Sequence, residues 1–124
     1  MIILPKGFKY AKKALLRSNY KVQLGACILD KTGRLISTGF NSIKTHPKFA
    51  NGLKSFTIHA EISALLHSKV DLKGSSLFVY RELQLTPGLA KPCDACFAAI
   101  VETKIRYIYY SISEYPYYEK VKLY

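Results

Sequence analysis

Cysteine is scarce in this chain, with three among 124 residues. An odd, low count excludes a disulfide-held scaffold and leaves metal binding or catalysis as uses for a close pair. Long apolar runs are missing too. The longest is Ala95 to Val101 with Cys96 included, far short of a membrane span. Met1 to Leu4 is apolar, but Pro5 and Lys6 end that run too soon for a secretory leader. There is no Pro-rich or Gly/Ser-rich linker, no low-complexity tract and no internal repeat. We therefore expect a soluble, cytoplasmic protein with no membrane partner, folded as one domain over residues 1–124. Acids are few: 8 against 19 lysines and arginines. Lys6, Lys9, Lys12, Lys13, Arg17 and Lys21 all precede the first acid, Asp30. The net charge of +11 attracts polyanions or phosphorylated small molecules, and reads equally well as a solvated face.

What is present alternates between helical and extended patterns. Residues 5–18 predict a helix, with Pro5 in its first turn and Phe8, Ala11, Leu15 and Leu16 on one face. Val22–Leu29 and Leu35–Phe40 predict a hairpin around the "DKTG" turn at 30–33. Asn41–Thr57 reads as a long polar loop. A helix follows over Ile58–Ser68, with Ile62, Leu65 and Leu66 inward, then a strand over Ser76–Arg81 and a loop over Glu82–Lys91. A second core helix spans Cys93–Thr103, and a strand Ile105–Tyr110. A last strand over Glu119–Leu123 must run antiparallel to it, because Ser111–Tyr118 is too short for a parallel crossover. This order predicts an α/β fold, a three-layer α/β/α sandwich around one mixed five-stranded sheet.

The chemistry concentrates at "HAE" (59–61) and "KPCDAC" (91–96). Cys93 and Cys96 stand at a helix start, where unpaired N–H groups and the helix dipole favour thiolates. Thiolates are zinc ligands, and His59 begins the other core helix. Two helices side by side on one sheet face bring the three together, leaving a fourth tetrahedral position for water, the pattern of a catalytic site. Glu61 then reaches the same cavity without ligating and can relay that water's proton. The plainer readings are two buried thiols acting as small hydrophobes, a structural zinc closed by Cys27, and a first-turn acid at Glu61. Cys27 lies mid-strand and reads as core.

Together the two motifs resemble the zinc-dependent cytidine and deoxycytidylate deaminases, whose signature is H-x-E with P-C-x-x-C. The likeness covers roughly residues 20–110. It implies Zn2+ held by His59, Cys93 and Cys96, with Glu61 relaying protons as water attacks C4 of a cytosine ring and ammonia leaves. It implies that backbone around Ala60 and Cys93 positions the base and that Asn41, ending "GFN" at 39–41, binds the sugar, although Asn41 also reads as a turn residue. Lys91 departs from the small residue many relatives carry there, and is placed to meet a substrate phosphate, a nucleic-acid backbone or solvent. Tyr109 and Tyr110 are the tyrosines best placed to touch a base; His46 reads as a loop residue and His67 as structural. The expected substrate is a free cytidine or deoxycytidine nucleoside or nucleotide. Single-stranded nucleic acid, an adenine or guanine base, and a non-catalytic zinc-stabilised nucleic-acid module are the rivals. A homo-oligomer is expected from the Tyr-rich strands and the long loop.

Overall fold

The computed structural model describes residues 3–19, 21–45, 55–83 and 86–123. Helix α1 (Gly7–Leu15) is followed by strands β1 (Leu24–Leu29), β2 (Leu35–Phe40), β3 (Ser42–Thr45) and β4 (Ser55–Ile58). Helix α2 (Ala60–His67), strands β5 (Ser76–Leu83) and β6 (Thr86–Gly88), helix α3 (Asp94–Glu102), and strands β7 (Tyr107–Ser111) and β8 (Tyr118–Lys122) complete the order.

The five-strand sheet runs β2-β1-β5-β7-β8, with β6 added on β5. It is mixed: β5 and β7 are parallel, while β1–β2, β1–β5 and β7–β8 are antiparallel. The antiparallel last strand follows from its short connection, as expected. α1 covers one face of the sheet and α2 and α3 the other, giving three layers. Strand alternation sorts the side chains between them. Ala26, Ile28, Leu77, Val79, Ile108 and Tyr110 pack on the α2/α3 side. Cys27, Leu29, Phe78 and Tyr80 pack under Phe8, Ala11 and Leu15 of α1.

Several expectations are corrected. The polar loop from Asn41 holds paired β3 and β4 in antiparallel register, with Ile58 ending β4 rather than starting the helix. The loop after Arg81 folds back as β6 on an extended β5. Leu16 is 69% exposed and Leu66 67%. Leu16 lies past the last turn of α1, and α2 turns its small residues, Ala60, Ser63 and Ala64, inward instead. The reason for those small residues lies in the hairpin. A Cβ on Gly39 would collide with the backbone of Ala60 and Ala64, and one on Gly25 with the backbone of Ala11 and Leu15. The paired strands thus carry one glycine toward each layer, and both helices lie directly on the sheet.

Candidate active site

Two helix starts meet on the α2/α3 side. His59 is the N-cap of α2 and Cys93 the N-cap of α3, both in extended conformation. The carbonyl of His59 accepts from Ser63 N at 2.9 Å and that of Cys93 from Phe97 N at 2.8 Å. Each residue therefore belongs to its helix while its side chain leans out past the first turn. Cys96 sits one turn into α3.

Their donor atoms converge, all within 4.8 Å of one another. His59 Nδ1 lies 3.0 Å from Cys96 Sγ and 3.7 Å from Cys93 Sγ. A tetrahedral ion with bonds of about 2.0 Å to nitrogen and about 2.3 Å to sulfur sets ligand separations of about 3.5 to 3.8 Å. Of the two spacings from His59, the one to Cys93 matches a metal-bound pair and the one to Cys96 is tighter. Among the described residues this is the only such group of three. Cys27 does not join it; it is fully buried on the α1 side and its thiol donates to Gly7 O at 3.0 Å.

The electrostatics also call for a cation. Burial, the Glu61 carboxylate and the neighbouring Cys93 push the Cys96 thiol up to about 12. Burial likewise raises Glu61 above the usual carboxylate range, against weaker opposing pulls from its own amide and from His59. The Cys96 thiol and the buried Glu61 acid, close together, resist ionising unless a positive ion compensates them.

His59, Glu61 and Cys93 share a cavity of about 290 Å³ with Val22, Leu24, Asn41, Ala60 and Lys91. That volume is at the small end of ligand pockets and suits one base with its sugar. A larger groove of about 660 Å³ beside Arg17 and His67 contains none of the three ligands. Chemistry, not size, marks the smaller cavity. Asn41 is 3% exposed, and its Oδ1 accepts from Ser18 Oγ at 2.7 Å and Leu24 N at 2.9 Å. Its Nδ2 donates to Val22 O at 2.6 Å, so Asn41 braces the cavity wall. Lys91 stands exposed at the mouth. Tyr110 is not among the lining residues: its ring is core and its hydroxyl donates to Glu119. Tyr109 stacks on Phe78 on the opposite face. His67 lines the larger groove, with Nδ1 3.3 Å from Thr38 O, and His46 lies outside the described residues.

The approach to Cys93 is fixed by a residue that sequence reading missed. Ser111 is fully buried; its Oγ donates to Gly88 O at 2.6 Å and accepts from Arg81 N at 3.0 Å. Its carbonyl takes Ala90 N at 2.9 Å. The end of β7 thereby anchors β6 and the segment entering α3. A serine after "YIYY" carries no local signal of this.

The model of the cytidine and deoxycytidylate deaminase zinc-binding region matches residues 4–112. The chain belongs to this deaminase family. Its members bind zinc, and His59, Cys93 and Cys96 form a site that can hold it. An uncharacterized deaminase in the luxG 3' region of Aliivibrio fischeri is 34% identical over 95 residues, 70% of this chain. The chain spans 56% of that curated relative's length. Among solved structures, a dCMP deaminase of cyanophage S-TIM5 is 26% identical with a TM-score of 0.57, over 89% of this chain and 86% of that one. A cytidine deaminase of Burkholderia pseudomallei has a TM-score of 0.65 at 19% identity, over 94% and 90%, a likeness of deaminase fold.

Proposed function

We propose that the protein is a hydrolytic deaminase that converts the cytosine base of a free nucleoside or nucleotide to uracil and releases ammonia. The observation that carries this is the convergence of His59, Cys93 and Cys96 within 4.8 Å, beside a cavity into which buried Glu61 opens. Zinc, when held by those three residues, acidifies water and supplies a nucleophile near neutral pH. The remaining steps belong to the chain. Glu61 takes a proton from the attacking water and delivers it to N3 of the ring. Glu61, again ionised, then takes the remaining hydroxyl proton from the C4 adduct and delivers it to the exocyclic amine as the C4–N bond breaks and the C4 carbonyl forms. A carboxyl raised by burial suits both halves of that relay, because its proton affinity is brought nearer neutral. Ala60 presents backbone to the base edge. Asn41 directs its remaining amide hydrogen toward the sugar, held rigid by Ser18, Leu24 and Val22. Lys91 at the mouth favours a phosphate on the substrate, as does the likeness to a dCMP deaminase. Residues 1–124 act here as one catalytic unit.

Ammonia release by zinc-loaded protein from a panel of cytosine, adenine and guanine nucleosides and nucleotides tests the reading. Cytidine or deoxycytidine compounds should be turned over, and Glu61→Gln should lose about 10²-fold or more in rate with zinc still bound. Turnover surviving in Glu61→Gln would remove the carboxyl from the mechanism. Purine turnover without cytosine turnover would overturn the substrate.

A further inference from the structure

The other side of the sheet carries a second pattern that the deaminase reading leaves unused. The register of β7 with β8 pairs Tyr107 with Lys122, Tyr109 with Lys120, and Ser111 with Tyr118. Residues directly opposite in a sheet share a face, so three tyrosines and two lysines emerge together. The intervening Ile108, Tyr110, Glu119 and Val121 point to the α2/α3 side, where Glu119 accepts from Tyr110. The acid of β8 is therefore kept off the tyrosine face.

That face is only partly roofed. α1 packs over β1 and β5 through Phe8, whose ring meets Tyr109 at 6.4 Å and Tyr118 at 5.9 Å at its border. Tyr107, Tyr109 and Tyr118 follow one another at 6.3 Å between ring centroids, all partly exposed. Lys120 lies 4.3 Å over Tyr107 and 5.5 Å over Tyr109, and Arg106 5.6 Å over Tyr107. Beside this row, Lys6, Lys9 and Lys12 of the α1 region line an adjoining groove floored by Phe8 and Tyr80. The nearby acids are occupied: Glu82 pairs with Lys12 at 3.5 Å, and Asp30 accepts from Thr32 and Arg34 within its own turn.

We propose that this face binds single-stranded nucleic acid, at a surface separate from the catalytic cavity. The partly exposed rings tilt 56° and 32° from one to the next, and Phe78 takes one face of Tyr109. They still offer ring surface on which unpaired bases of any sequence can stack, and interleaved cations track phosphates. Charge complementarity selects the occupant. A second copy of the chain would set one cationic face against another, whereas a polyanion is drawn by both features. Unpaired bases are favoured over a duplex because only they expose faces to stack.

The probe is a fluorescent oligothymidylate, titrated at several salt concentrations and compared with a duplex of equal length. The single strand should bind at least tenfold more tightly than the duplex, with log affinity falling linearly in log salt. Lys9→Ala/Lys122→Ala should lower that slope by about 1.4, two phosphate contacts' worth for a single strand. Tyr107→Leu should weaken binding about tenfold and leave the slope unchanged. Neither variant should alter deamination of a free nucleoside, so the two readings fail separately. Absent binding, equal binding of duplex with a neutral Tyr107→Leu, or displacement of the oligonucleotide by free nucleoside would each overturn the proposal. So would self-association in solution that the lysine substitutions abolish.

Discussion

At the scale of single residues, the three cysteines divide by surroundings rather than by type. Cys93 and Cys96 stand at a helix start beside an imidazole, while Cys27 lies under α1, where burial pushes its thiol up to about 12. A neutral native thiol that ionises near 9 when unfolded contributes stability that is complete below pH 9. That contribution is lost as pH rises toward 12. The loss has a limiting slope of about 1.4 kcal/mol per pH unit. Urea midpoints should therefore fall more steeply between those pH values in wild type than in Cys27→Ala. The variant should keep some decline, because burial and the Glu119 contact raise Tyr110 in the same direction. Ser111 is the other telling residue. Ser111→Ala leaves Gly88 O and Arg81 N buried without that partner, and should lower unfolding free energy by about 1 to 3 kcal/mol.

At the scale of elements, the glycine pair on the β1–β2 hairpin makes a sharper test. Gly39→Ala drives a methyl into the backbone of α2, and Gly25→Ala into that of α1. Overpacking of this kind costs about 1 to 3 kcal/mol in either case. Only Gly39→Ala should also weaken zinc retention by the folded protein, because α2 carries His59 and Glu61; metal content after gel filtration reads the difference. Neither close approach is visible in the sequence, since a glycine in a strand pattern does not say what lies above it. The hairpin around "DKTG", both core helices and the reversed last strand were legible, because turn chemistry, periodicity and connection length are local. β3, β4 and β6 were not, because their pairing depends on where the chain returns. The zinc ligands were legible because ligand chemistry restricts residue type as well as spacing. The inward placement of Tyr110 depends on strand parity: a strand starting at Tyr107 turns Tyr109 and Tyr110 to opposite faces.

At the scale of the molecule, a metal held by His59 before α2 and by Cys93 and Cys96 of α3 would tie the two helix starts together. Zinc at about 100-fold over its dissociation constant should stabilise the fold by about 2.7 kcal/mol. For a chain of this size that is about 10 °C in melting temperature. Chelation should remove that increment and zinc should restore it, with cadmium giving a thiolate charge-transfer band on the same ligands. No helix among the described residues is long and apolar enough to cross a membrane. The sheet instead separates two surfaces of different character, a small cavity under α2 and α3 and a tyrosine–lysine face beside α1.

The sequence separation of 34 between His59 and Cys93 also sets an order of emergence. As the polypeptide leaves the ribosome, His59 emerges well before Cys93 and Cys96. The nascent first half has no means of capturing the ion in this geometry. A product cut short before Cys93 holds only one of the three ligands and cannot build this site.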